Sequence, residues 1–450
     1  PHLMKYNSHH ERDAGFSMNI NQKFFQRALQ RIAGGNLLVS KHPHQFHPKL
    51  WPTYFESAKG INILGKDGTN YLDMGMMGIG TNTLGYGHQE VDAAVIETIS
   101  KGNLTTLNCF EEVELAEKLI EMHPWAGMCR FARTGGEANA VAVRLARAYS
   151  GKDKIAVCGY HGWHDWYLSL SMSNDLDNHL IPGIESSGIP KALNGSVLSF
   201  DYNDLSSLKT LVANNEIGAI KMEVMRNFQP KDNFLNKIRK ICNENNIVLI
   251  FDECSSGFRE SYGGLHKIYD VIPDIVVYGK TISNGYALTA VVGTKEIMQS
   301  VSNTFISSTF WTERIGNVAA LKALEVMQRE KSWEYITEYG IKVKNIWKDL
   351  SIKNSLEIVV QGLDALATFN FKDFQLERKT ILVQELLKHN ILGGNAFYPS
   401  IAHTEEHLEI YEDAVNKAFK KISSMSSKEI LLKNIDGGLS ATSLPFKRFN

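Results

Sequence analysis

The sequence predicts an α/β protein in which a large, doubly wound, mainly parallel sheet domain carries a smaller α+β domain. Three observations predict it. From about residue 128 to 253, apolar runs of strand length alternate with stretches of helical periodicity, the signature of βα units stacked into one sheet. The runs at 247–251 and 275–278 are continuous rather than alternating, which suits strands covered on both faces. At 450 residues, the chain is also longer than one small core requires.

Taken in order, residues 22–33 have helical periodicity that stops at Gly34 and Gly35. The segment KHPHQFHPKLWP follows, and its prolines predict an extended loop with solvated histidines at His42, His44 and His47 rather than a metal cluster. Apolar stretches at 61–64 and 70–75 flank Lys66-Asp67-Gly68 and predict a hairpin. The glycine-dense MGMMGIGTNTLGYGHQE then predicts backbone that bends close to a neighbour. Helices are expected at 88–101 and 111–122, a buried strand at 128–132, a helix at 136–149 and a strand at 155–160. A strand at 217–224, a helix around 234–243 and the strand at 247–253 continue the alternation.

Beyond Thr309 long helices are predicted at 316–329 and 333–350, then strands at 356–360 and 365–371, a helix at 377–389 and a last helix at 405–424. The expected division is an N-terminal segment, 1–75, packing with the small domain, a large domain at 76–315 and a small domain at 316–450, ending in a tail or an arm onto a neighbouring subunit.

Composition narrows the function. With 48 basic and 49 acidic residues there is no electrostatic footprint for nucleic acid or an anionic membrane. The five cysteines, Cys109, Cys129, Cys158, Cys242 and Cys254, are scattered and odd in number, as expected of small hydrophobes in a reducing compartment. No apolar run reaches membrane-spanning length and the polar start lacks a signal core, so a soluble, cytoplasmic protein is expected.

The chemistry is read from strand ends. One apolar run delivers Asp252 and the next delivers Lys280, and open α/β sheets place ligands beyond the carboxyl ends of their strands. An acid and a lysine presented to one crevice match pyridoxal phosphate: the lysine forms an imine and the carboxylate keeps the pyridine nitrogen protonated. Gly135 and Gly136 open a helix after a strand, where backbone N–H groups can meet a phosphate. Tyr160 ends the next strand, in CGYHGWHDW, where an aromatic ring can stack on a planar cofactor. His161 and His164 lack a second ligand pair with usual spacing, so no metal is expected.

Four motifs, FARTGGEANAVAVRLARAYSGKDKIAVCGYHG, IFDECSSGFR, PDIVVYGKTISNG and SSTFWTERIG, together resemble the class III, fold-type I pyridoxal-phosphate aminotransferases, in particular their glutamate-1-semialdehyde aminomutase branch. The resemblance implies that Lys280 is the Schiff-base lysine and Asp252 the partner of the ring nitrogen. It places Gly135 and Gly136 at the phosphate, Tyr160 and Cys254 against the two ring faces and Glu223 near the substrate. Thr309 is implied to reach the phosphate of the other subunit, hence a homodimer with shared active sites.

Lys41 stands where the mutase carries a carboxylate-binding arginine, and with His161 and Trp163 it completes the expected substrate side. The expected function is amino transfer between a small-molecule donor and a carbonyl acceptor, with pyridoxamine phosphate as the aminated cofactor. An intramolecular 2,1-aminomutase is the nearest alternative. Amino transfer to a keto-sugar and a non-catalytic scaffold of the same fold stand further off.

Overall fold

A computed structural model describes residues 18–173 and 187–440. Three sheets organise it. Strands β1 (Phe55–Lys59), β2 (Asn62–Gly65) and β3 (Asn70–Asp73) form the first, antiparallel, with the hairpin turn at Lys66-Asp67-Gly68 as expected. Strand β1 was not legible in advance, because FESAK is almost wholly exposed and has no apolar alternation.

The main sheet has seven strands: β4 (Met128–Ala132), β5 (Lys154–Cys158), β6 (Val197–Ser199), β7 (Ile217–Glu223), β8 (Val248–Glu253), β9 (Ile275–Tyr278) and β10 (Thr289–Gly293). Their spatial order is β4-β10-β9-β8-β7-β5-β6. β10 runs antiparallel to both β4 and β9, and the remaining neighbours are parallel. β7, β8, β9 and β10 are buried at every residue, which explains their unbroken apolar runs. β4 corrects the expectation of a buried strand: it is the sheet's edge, and only Ala132 is fully covered.

The third sheet joins β11 (Ile358–Gln361), β12 (Ala367–Phe371) and β14 (Ala396–Phe397), while the two-residue strand β13 (Ile391–Leu392) pairs in parallel with β3 and so ties the C-terminal third of the chain to the first sheet. Helices Ser332–Lys353, Gln375–Leu387 and Glu405–Ser423 cover a core built on Trp347, Phe369, Phe397 and Tyr411. One more helix, Lys428–Lys433, follows the last expected one; its six residues are too few to show a period. The expected tail at SLPFKRFN lies outside the described residues.

The histidine-rich segment is corrected. It folds into two 3₁₀ turns, Val39–Lys41 and Pro43–Gln45, and His42 and His47 are buried. His42 accepts the His44 N–H at Nδ1 and packs edge-on to Phe25, while His47 meets Gln384 at 3.3 Å. Burial lowers the pKa of both imidazoles, so they fold as neutral, hydrogen-bonded core groups. The glycine-dense stretch does bend close to a neighbour. A Cβ on Gly80, at φ +84°, would lie 2.4 Å from the Arg259 guanidinium.

Candidate active site

Asp252 is the penultimate residue of β8, 3% exposed, and its environment is made by three elements. Oδ2 accepts from Asn139 Nδ2 and His161 Nδ1, each at 2.8 Å, and Oδ1 accepts from the Cys254 N–H at 3.1 Å. Lys221 Nζ stands 3.8 Å from Oδ2. Burial pushes the carboxyl's pKa up, but the Lys221 charge and the His161 hydrogen bond outweigh it and hold the group well below the usual carboxylate range. A carboxylate offers about four lone-pair directions. Three are used, so Asp252 is ionised and keeps room for one more N–H donor.

Lys280 follows β9 and donates to Ser255 Oγ in the turn after β8. Adjacent parallel strands thus bring it to the same edge as Asp252. Cys254 lies between: its Sγ is 3.5 Å from where a Cβ on Gly135 would stand and 3.2 Å from one on Gly279. Burial, then the Asp252 charge, raise the pKa of its thiol, which stays protonated and apolar in behaviour.

Helix Gly135–Ser150 starts at the same edge. Thr134 caps it in a capping box with Glu137, whose carboxylate accepts the Arg133 and Thr134 N–H groups at 3.0 and 2.8 Å. A Cβ on Gly136 would sit 2.9 Å from the His164 ring, so only glycine fits between the helix start and that imidazole. Arg133 donates to the carbonyls of Trp311 and Glu313 at 2.9 and 2.7 Å and thereby pins the Thr309–Thr312 turn beside the glycines. Thr309 itself is exposed.

The remaining expected residues divide. Tyr160 lies half-buried after β5, its N–H donating to Glu223 Oε2 at 3.3 Å, and Glu223 is buried at the end of β7. Trp163 is 69% exposed and Lys41 is exposed on its 3₁₀ turn. The expectation that His161 faces substrate is corrected: the ring is wholly buried, bonded to Asp252 and to the Cys158 carbonyl. Its place is behind the carboxylate.

Several participants were missed. Asn139, three residues after Gly136 on one helix face, was readable from helical spacing. Lys221 was readable as a lone cation inside an apolar strand, and Arg226 and Arg259 as cations just past β7 and β8. Both guanidiniums are buried, within 6 Å of the Tyr398 ring centre at 5.8 and 5.9 Å, and Arg226 donates to the Tyr398 hydroxyl at 3.0 Å. Arg259 also donates to the Ser255 carbonyl. Burial and the neighbouring Arg226 charge push the Arg259 pKa down to about 9.

Residues 46–425 match the family model described as aminotransferase class-III. Among curated relatives, a 3-aminobutyryl-CoA aminotransferase of Cloacimonas acidaminovorans is 31% identical over 90% of this chain and 98% of its own. A glutamate-1-semialdehyde 2,1-aminomutase of Methanococcoides burtonii is 30% identical over 87% of this chain and 97% of its own. Solved structures with the same fold include the Sphingopyxis sp. MTA144 FumI protein, at TM-score 0.82 and 23% identity over 92% of this chain and 98% of that one. A Pseudomonas aeruginosa glutamate-1-semialdehyde aminomutase gives TM-score 0.76 and 17% identity over 88% and 93% of the two chains.

Proposed function

The chain belongs to the class-III aminotransferase family, a pyridoxal-phosphate enzyme of amino-group transfer, and from that premise we propose how its residues divide the work. The observation that carries the reading is Asp252: an ionised, buried carboxylate with one acceptor direction open, on the strand next to the one that delivers Lys280. That donor and acceptor set fits the cofactor. When bound, pyridoxal phosphate supplies an electron-withdrawing ring that lets the substrate carbon bearing nitrogen lose a proton.

Asp252 would accept the ring N–H and keep the nitrogen protonated. His161 and Asn139 hold its carboxylate in place, and Cys254 and Tyr160 would cover the two ring faces. The first N–H groups of helix Gly135–Ser150 are without backbone acceptors inside the helix and would bind the phosphate. Lys280 would hold the cofactor, and its Nζ amine, once free, would be the base that takes the proton from the substrate carbon. Glu223 orients Tyr160 through the main chain and lines the substrate side.

The substrates proposed are a small amino donor and a carbonyl acceptor. Arg226 and Arg259 around Tyr398 offer a buried cationic wall on the strand-end side, which favours a donor bearing a carboxylate over the exposed Lys41 as the anchor point. Adding excess L-glutamate to the purified enzyme should abolish its visible cofactor band and leave the pyridoxamine form. A band unmoved by glutamate but discharged by a diamine would favour the 2,1-aminomutase reading, in which one molecule gives up and recovers the nitrogen.

A homodimer with shared sites is part of the same proposal, as are a cytoplasmic setting and the division at residues 75 and 315. Support for the dimer comes from an apolar face. Leu107, Phe110, Phe305 and Phe310 are 81%, 61%, 87% and 71% exposed. The segments carrying Leu107, Phe110 and Phe310 are bound together by Arg314, which forms a two-pronged pair with Glu111 and donates its N–H to the Asn103 carbonyl at 2.9 Å. Exposed apolar side chains gathered on one face mark an interaction surface, and Thr309 lies within it. Phe310→Asp should therefore shift the protein from dimer to monomer in sedimentation velocity and lower kcat at least about tenfold, because a partner's threonine leaves the phosphate. A dimer with full activity would refute the arrangement.

A further inference from the structure

Lys221 takes no part in the steps above. It lies in β7 opposite Val157 of β5 and Ile250 of β8, on the face covered by helix Gly135–Ser150. The side chain is wholly buried and its Nζ has no hydrogen-bond partner. A buried charge needs a partner, and among the described residues the carboxylate within ion-pair range is that of Asp252, at 3.8 Å.

The other ionisable groups facing this spot are few. Glu223 lies two residues along the same strand, Cys254 follows β8, and His161 and Tyr167 come from the segment after β5. The covering helix contributes Asn139 and apolar side chains; its Arg144 is tied to the Phe305 carbonyl and its Arg147 to the carbonyls of Asp153 and Ser196.

One carboxylate is thus addressed by two cations. In the cofactor-free protein Lys221 already compensates Asp252, and a protonated pyridine ring brings a second positive charge to the same buried oxygens. Without water to screen them, the two repel, and the cation that has no hydrogen bond to the carboxylate is the one that gives up its proton. The ring's proton is held by a direct hydrogen bond to Asp252, whereas the Lys221 ammonium makes none.

We propose that Lys221 is a charge-balancing positioning residue, protonated in the cofactor-free protein, where it keeps Asp252 ionised, and giving up one proton to solvent when a pyridinium docks on Asp252. One ammonium N–H bond breaks, the proton passes to buffer, and the neutral amine stays in place; no other bond changes. Burial lowers the proton affinity of Lys221 and the Asp252 charge opposes it, which prepares the group for this release. The proposal rests on Asp252 being the seat of the ring nitrogen.

Pyridoxamine 5′-phosphate docks without a bond to Lys280, so it isolates this step. The full chain, stripped of cofactor, is titrated with it by calorimetry near neutral pH in buffers of different ionisation enthalpy, which yields protons released per molecule bound. Wild type should release about one proton more than Lys221→Met, whose straight apolar side chain fits the same space. Equal release by the two proteins would overturn the proposal. Lys221→Arg, a permanent cation, should bind the probe at least about tenfold more weakly than wild type and show no extra release; wild-type affinity in that variant would also overturn it, even if the methionine variant failed to fold. Failure of wild type to bind the probe would instead remove the Asp252 reading on which the proposal rests.

Discussion

Lys280→Ala should lower kcat by at least about three orders of magnitude, since a single proton-transferring group is commonly worth 10²- to 10⁴-fold and this amine also holds the cofactor. The residue follows a strand buried at every position, and its Nζ is poised on Ser255 in the turn that also carries Cys254. Truncation leaves that strand and its pairing with β8 untouched, so circular dichroism and thermal unfolding should stay close to wild type. Single-turnover kinetics with a donor would check the loss. Turnover within tenfold of wild type would remove Lys280 from the mechanism.

Asp252→Asn is the second large effect, and it should appear twice. Removing a preorganised charge from a dry site typically costs 10²- to 10³-fold in kcat, and a loss of about that size is expected here. The same change leaves the Lys221 ammonium buried without its counter-charge. Breaking a buried pair from one side costs about 3–5 kcal/mol, tempered here by the ease with which Lys221 can lose its proton.

Acid sensitivity should change as well. The folded Asp252 carboxyl sits below the unfolded value of about 3.9. Its stabilising contribution is therefore fully present above that value and is lost as pH falls through the lower, folded one. Urea unfolding followed from pH 7 down to pH 3 should show wild type losing stability on the acid limb and the asparagine variant, already lower, losing less. Parallel limbs would show that Asp252 is not held ionised by its neighbours.

Most of the fold was legible because its strands are buried on both faces and write unbroken apolar runs; β7, β8 and β9 were found almost to the residue for that reason. Strand β1 failed because an exposed strand needs no apolar side chains. The histidine segment failed because proline and histidine look solvated until a distant partner, Gln384, is brought to His47 by the fold. In the site, the residues that touch Asp252 from its own strand end were within reach of sequence reading. Asn139 and Lys221 leave a signal in the sequence, a helical spacing and a lone cation in an apolar strand, but that both act on Asp252 depends on a register that only the assembled sheet fixes. Lys221 shows the difficulty well: one cation in a strand reads as an edge or a snorkelling side chain until the strand is seen to be central.

Strand β8 ends in two acids that point to opposite faces. Asp252 serves the crevice, while Glu253, buried beneath, accepts from Ser256 Oγ, from the N–H groups of Leu265 and His266, and from His266 Nδ1 at 2.7 Å. Because strand side chains alternate, shifting β8 by a single residue would swap these duties, aiming Glu253 at the crevice and tearing the 256–266 loop from its anchor. An insertion or deletion anywhere in those six residues is thus penalised by folding before chemistry is reached. Errors of synthesis or recombination in this stretch should yield chains that are degraded rather than folded enzymes with altered selectivity.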